Sequence, residues 1–179
     1  MRLTVQTDYA LRLLMYLALN EPASATIGQA ASSLLVSRNH LMKIVHRLGL
    51  GGFIHTLRGK SGGLRLARPS GDIRLGDVVR YTESDMTLVP CFAPEDAACA
   101  LLPQCVLRQA LNSALAAFLQ VLDRYSVADL TSNAAGLRAL LAMEAPGGTT
   151  GGKTARLRAV EQKAKAVPVQ KRTQRVRRT

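Results

Sequence analysis

Residues 37–66 read SRNHLMKIVHRLGLGGFIHTLRGKSGGLRL, and this stretch decides the fold. Ser37 is a good helix N-cap. Leu41, Ile44, Val45 and Leu48 then recur at helical spacing, which predicts a helix to about Leu50. Gly51-Gly52 stops it. Phe53 to Leu57 reads as a strand, Gly59-Lys60-Ser61-Gly62-Gly63 as a turn, and Leu64-Arg65-Leu66 as the returning strand.

Upstream lie two more helices. Tyr9, Leu13, Tyr16 and Leu17 fall near one face of a helix over residues 8–20, ended by Glu21-Pro22. Thr26 and Gln29 have capping-box spacing and begin the second helix. Three helices and a glycine-tipped hairpin make a winged helix-turn-helix.

Downstream, residues 75–82 read as a short helix. Residues 85–103 hold Pro90, Pro94, Pro103 and two cysteines, and read as an irregular loop. A long helix follows over about residues 104–125. Leu107, Leu111, Ala114, Phe118, Val121 and Tyr125 form a heptad seam on it, widened by Leu115 and Leu122. In so small a chain the seam points to pairing with a second copy, while periodicity alone also allows packing on the chain's own head. Ser126 and Asp129 begin a last helix to about residue 143. The expected fold is mostly α with a small β-hairpin wing: a winged helix-turn-helix plus a long dimerisation helix.

Charge follows the same division. Residues 1–80 carry a balance of +7, residues 81–152 of −4 and residues 153–179 of +9. We therefore expect a DNA-binding region at 1–80, a cysteine loop with dimerisation helices at 81–145, and a basic, disordered tail at 146–179. The net charge of +12 calls for a polyanionic partner, nucleic acid first and an anionic membrane surface second. Aromatic residues are 4% and Trp is absent, which argues against stacking on unpaired bases. No apolar run reaches the about 20 residues that span a bilayer, so no membrane partner is expected. Arg2, the apolar stretch 9–19 and Ala23-Ser24-Ala25 loosely mimic a secretory signal, but Asp8 and Arg12 interrupt it. The expected location is cytoplasmic.

The third helix opens with Ser37, Arg38, Asn39 and His40, followed by Lys43, His46 and Arg47. Arg forks onto guanine O6 and N7, and Asn onto adenine N6 and N7. Both stand in the first turn, where a recognition helix meets base edges. Arg58, Lys60 and Arg65 surround the wing tip and suit phosphate or the minor groove. The partner expected is double-stranded DNA, with a solvated polar face as the bland alternative; His46 and His55 read as plain surface histidines.

The cysteines are Cys91, Cys99 and Cys105. An odd, clustered set fits a reducing compartment and a metal better than disulfides. An iron–sulfur cluster usually takes four ligands, so it needs one more donor. Glu83, Asp85, Glu95 and Asp96 are near in sequence, and Asp8 could reach from a partner chain. Zinc with three Cys and one His, bare redox thiols, and inert buried thiols remain open. Asp8 has a second possible role as the cap of the first helix. A thiol enzyme is not expected, because no cysteine sits with a placed base and no phosphate-binding glycine loop follows a strand.

The chain resembles the nitric-oxide-sensing NsrR repressors, part of the iron–sulfur winged-helix family that includes IscR. The resemblance spans about residues 1–143. It rests on Leu3-Thr4 with Thr7-Asp8-Tyr9-Ala10-Leu11-Arg12, on Ser37-Arg38-Asn39-His40-Leu41-Met42-Lys43, and on Arg58 through Leu66. It continues in Gly76-Asp77-Val78-Val79-Arg80 and Leu88-Val89-Pro90-Cys91-Phe92, with Cys99 and Cys105. It implies a homodimeric repressor that binds a palindromic operator and is released by nitric oxide. It also implies an iron–sulfur cluster, [2Fe–2S] or [4Fe–4S], at Cys91, Cys99 and Cys105, with Asp8 of the partner subunit as the fourth ligand. An IscR-like regulator of iron–sulfur supply, or another redox-responsive regulator, shares the fold. Two features depart from the family pattern: the seven residues between Cys91 and Cys99, and the basic tail.

A flexible cationic tail beside a DNA-binding head acts through counterion release, each neutralised phosphate steepening log K against log salt by about 0.9. Removing the residues after Ala145 should weaken binding to every duplex and flatten the salt dependence. The ratio of specific to non-specific affinity should stay as it was. Salt titrations on operator and random DNA check this, and identical slopes for full-length and truncated protein would show a merely solubilising tail.

Overall fold

Helix α1 runs Val5–Asn20 in the computed structural model, which describes residues 2–57, 59, 62–92, 99 and 101–142. It starts three residues before the expected position because its cap is Thr4, whose hydroxyl accepts from the Thr7 amide. Asp8 is therefore not the cap. It lies in the first turn and pairs with Arg12, Oδ1 to Nε 2.8 Å.

The head follows the expected order. Helix α2, Ile27–Leu34, begins with the reciprocal Thr26–Gln29 capping box. Leu35 takes φ 55° and turns the chain toward helix α3, Arg38–Leu50, capped by Ser37. Strands β1, Ile54–Leu57, and β2, Gly63–Leu66, pair antiparallel with His55 opposite Arg65. An isolated bridge from Ala25 to Leu64 ties this wing to the segment entering α2. Leu13, Leu14 and Leu17 of α1 close the core with Leu41 and Leu48 of α3 and with Ile54. Each such side chain contributes about 1.5–3 kcal/mol by leaving water.

Helix α4, Leu75–Thr82, packs between α1 and helix α5, Val106–Asp123. The Thr7 hydroxyl donates to Thr82 Oγ1 at 2.8 Å, which donates in turn to the Val78 carbonyl at 2.7 Å, so the buried pair is satisfied. Glu83, just past α4, accepts from the Thr4 amide and hydroxyl at 2.8 and 3.1 Å. No residue of α5 is fully buried. Leu122 packs on the core cluster, but Leu107, Val121 and Tyr125 stay exposed, Leu107 by 66%. The chain's own head thus covers only part of the seam.

The last expected helix is two short ones, α6, Val127–Leu130, and α7, Ala134–Leu140. The break falls at Thr131-Ser132-Asn133. Thr131 Oγ1 donates to the carbonyls of Val127 and Ala128, and Asn133 caps afresh by accepting from the Gly136 amide. Such side chains compete with the helical backbone. The irregular loop contains tight 3-10 turns at Pro90–Phe92 and Leu102–Gln104. The tail, residues 93–98, Arg58 and Lys60 lie outside the described residues. No helix among the described residues is long and apolar enough to cross a membrane.

Gly76 decides how closely α5 approaches α4. A Cβ there would run into the Asp123 carboxylate. Gly76→Ala should lower stability by about 1–3 kcal/mol, the ordinary cost of overpacking. Gly76→Ala with Asp123→Ala should recover part of that loss. Thermal unfolding of both variants checks the expectation.

Candidate functional site

Two faces of α3 do different work. Leu41, Ile44, Val45 and Leu48 are buried, while Ser37, Arg38, Asn39, His40, Lys43 and His46 are exposed. Ser37 Oγ already accepts from the His40 amide at 3.3 Å, which sets the helix start. Arg38 also lines an open groove of about 400 Å³, bounded by Thr26, Ile27 and Gly28 of the α2 entry and by Thr56 and Leu57 of the wing. The start of α2 thus shares the surface of Arg38, which the sequence reading had not included; its capping box was the available signal. Arg65 is exposed on β2. Exposed Arg38, Asn39 and Lys43 at the head of a helix, with Arg65 on the adjoining hairpin, form a surface suited to groove edges and phosphates.

Arg47 is not part of that surface. Its Nη1 donates to Gln6 Oε1 and its Nη2 to the Tyr81 carbonyl, both at 2.9 Å. Tyr81 Oη donates back to the Arg47 carbonyl at 2.8 Å. Gly51 permits this, since a Cβ there would stand 2.7 Å from the Tyr81 ring. The end of the recognition helix is thereby fastened to α4. The neighbouring residue, Arg80, grips α5 instead, donating to both Asp123 oxygens at 2.6 and 2.7 Å. The hydrogen bond from Arg80 holds the Asp123 carboxyl below its ordinary range, and Asp123 raises Arg80 in turn. Both side chains are well exposed, so solvent screens the pair and it adds little stability.

Cys91 stands in the Pro90–Phe92 turn and is half-buried, Cys99 is exposed, and Cys105 is half-buried at the start of α5. None of the three is in a disulfide. Cys105 is itself the cap of α5, its Sγ accepting from the Arg108 amide at 3.4 Å. Three free thiols, one at the positive end of an 18-residue helix, match in kind the donors of a sulfur-ligated iron centre.

The single chain does not gather these residues. Among the described residues, no three of His, Cys, Asp and Glu stand close enough to hold a metal. Of the carboxylates considered as a fourth ligand, Glu83 is engaged with Thr4. Burial pushes the Glu83 carboxyl up, but hydrogen bonding at the Thr7–Thr4 corner and the Arg47 charge outweigh it and hold it below the usual Glu range. The Thr87 side chain, and then the Thr87 amide that donates to Asp85 at 2.7 Å, hold the Asp85 carboxyl below its ordinary range too. Asp8 is half-exposed beside Arg12. Glu95 and Asp96 lie outside the described residues.

Reading helix, wing and basic face define a winged helix-turn-helix DNA-binding regulator. The chain belongs to the Rrf2 family, described as iron-dependent transcriptional regulators, which matches residues 3–133. It is 49% identical over 142 residues to the HTH-type transcriptional regulator NsrR of Geobacillus kaustophilus, covering 79% of this chain and 97% of that one. It is 44% identical over 145 residues to NsrR of Bacillus subtilis, covering 80% and 99%. The resemblance drawn from the motifs therefore holds. Among solved structures, CymR, the global cysteine regulator of B. subtilis, superposes with a TM-score of 0.62 at 22% identity, covering 74% of this chain and 98% of that one. IscR of T. potens gives 0.62 at 21% identity, covering 82% and 94%. At these identities the two structures establish the fold alone, mostly α with a small hairpin wing. The protein is a transcriptional regulator and not an enzyme.

Arg38→Ala or Asn39→Ala should cost about 1–3 kcal/mol on the preferred duplex and relax preference at one base position. Arg47→Ala should instead lower the melting temperature and weaken all duplexes alike. Selection from a random duplex pool, followed by titration of each variant, separates the two classes. Equal losses on random DNA for Arg38 and Asn39 would make them phosphate contacts.

Proposed function

We propose that this regulator is an iron–sulfur-dependent repressor that binds palindromic operator DNA as a homodimer and is released by nitric oxide. One observation carries the reading. Three unpaired cysteines occupy the segment leading from α4 into α5, the helix whose apolar seam the single chain leaves largely uncovered. The relatives named NsrR and the iron-dependent family description support it. Residues 1–80 would bind DNA, 81–145 would hold the cluster loop and dimerisation helices, and 146–179 would be a basic tail. The setting is cytoplasmic, with no membrane partner.

Cys91, Cys99 and Cys105 would hold a [2Fe–2S] or [4Fe–4S] cluster, with Asp8 of the partner subunit as fourth ligand. When bound, such a cluster supplies iron that combines with nitric oxide. The chain's own residues do the rest. Ser37, Arg38, Asn39, His40 and Lys43 read the major groove, while Arg58, Lys60 and Arg65 hold the backbone. Half-sites then lie about 34–36 Å apart, or a multiple of it. A shift of the segment between Glu83 and Cys105 acts at both its ends, on Thr4 through Glu83 and on α5 through its cap. It reaches α3 through α4, where Arg80 holds Asp123 and Tyr81 holds Arg47. A coupling of about 1–3 kcal/mol changes affinity about 5- to 150-fold, enough to release an operator.

Anaerobically purified protein should be brown, with visible absorption that Cys91→Ser, Cys99→Ser and Cys105→Ser each abolish. Operator affinity should fall about 5- to 150-fold as nitric oxide is titrated in. A colourless protein with stoichiometric zinc would overturn the cluster. Binding that survives nitric oxide but tracks cluster loading would make it a regulator of iron–sulfur supply.

A further inference from the structure

Among the described residues, four arginines are held by partners within the fold. Arg12 pairs with Asp8, Arg47 with Gln6 and Tyr81, Arg80 with Asp123, and Arg138 with the Leu19 carbonyl. Arg108 is different. Its Nε is buried and has no hydrogen-bond partner among the described residues. A buried N–H left unsatisfied in a native fold calls for an acceptor that comes from elsewhere. The residue stands in the first turn of α5, and its own amide donates to Cys105 Sγ at 3.4 Å. The orphan donor and the cysteine cap are thus one helical turn apart, on the same short stretch of chain.

We propose that Arg108 is the positioning residue of the cysteine site, and that its Nε–H donates to sulfur of the group that Cys91, Cys99 and Cys105 hold. The inference rests on the iron–sulfur reading given above. Three thiolates and a carboxylate concentrate negative charge, and a guanidinium beside them offsets it. Donors to cluster sulfurs draw off electron density and raise the reduction potential. Groups of this kind around a metal hold the ligands in place, and losing one typically weakens metal binding about 10- to 100-fold.

Three substitutions isolate the Nε position. Arg108→Met keeps the stem and has no donor there. Arg108→Lys keeps the charge but puts a methylene at the place of Nε. Arg108→Gln removes the charge yet brings an amide N–H to that place. The test uses full-length, cluster-loaded protein under anaerobic conditions. It reads iron release to a chelator and the reduction potential, with melting temperature and sedimentation as controls for fold and dimer. The Met and Lys variants should release iron about 10- to 100-fold faster and shift to more negative potential, and the Gln variant should return both toward the wild-type values. Should the Met variant not fold, Lys against Gln makes the same comparison. Unchanged release and potential in the Met and Lys variants would overturn the assignment, as would a Gln variant that behaves like them. A change confined to dimer affinity would overturn it too. Wild-type protein that takes up no iron–sulfur cluster would instead overturn the reading of the site on which the assignment stands.

Discussion

Arg80 and Tyr81 are consecutive residues of a two-turn helix, and their side chains leave it about 100° apart. One closes a fork on Asp123 at the end of α5, and the other exchanges hydrogen bonds with Arg47 at the end of α3. Both grips need a missing side chain opposite: Gly76 admits the Asp123 carboxylate, and Gly51 admits the Tyr81 ring. Neither contact is strong alone, since the ion pair is solvent-exposed and a hydrogen bond adds about 0.5–1.5 kcal/mol. Their value is geometric. With α4 between them, the long helix and the reading helix cannot shift independently without breaking one grip.

Sequence reading succeeded where the deciding contacts are local. The Thr26–Gln29 box, the Ser37 cap and the Ser126–Asp129 box each lie within four residues, and all three form as expected. The hairpin was equally readable, because its two strands and its glycine-rich turn are neighbours in the chain. It failed where partners are distant or local forces are balanced. The true start of α1 depends on Thr4, whose amide and hydroxyl are held by Glu83, 79 residues away. The last helix was read straight through Thr131 and Asn133 from its Ser126–Asp129 start, although their side chains prefer the backbone.

The functional surface was unevenly legible for the same reason. Arg38 and Asn39 stand out because residue type and position in the first turn coincide, and both are exposed. Arg47 looks identical in the pattern, yet its guanidinium is spent on Gln6 and Tyr81. The three cysteines stand out in the sequence as a candidate donor set. Their gathering is not a property of the described single chain, which brings no three metal-binding side chains together. A fourth ligand from a second subunit would account for that only in part, since all three cysteines belong to one loop and helix start.

Helix α5 makes the two halves mechanically continuous. Cys105 caps its first turn, and Asp123 closes its last. Its 18 residues span about 27 Å at 1.5 Å per residue, and the stretch contains neither glycine nor proline. Sharp bends in helices almost always have such a cause, so α5 behaves as a rod. In the proposed mechanism a displacement at the cysteine end would therefore arrive at Arg80 rather than dissipate within the helix. The uncovered seam adds a second condition. Leu107, exposed by 66%, adjoins the cysteine end, while Val121 and Tyr125 adjoin the clamp. In the proposed dimer a second copy covers both ends at once. Tilting the rod would then move the reading head of each subunit against the other, and the operator would feel a change in spacing with α3 itself unaltered.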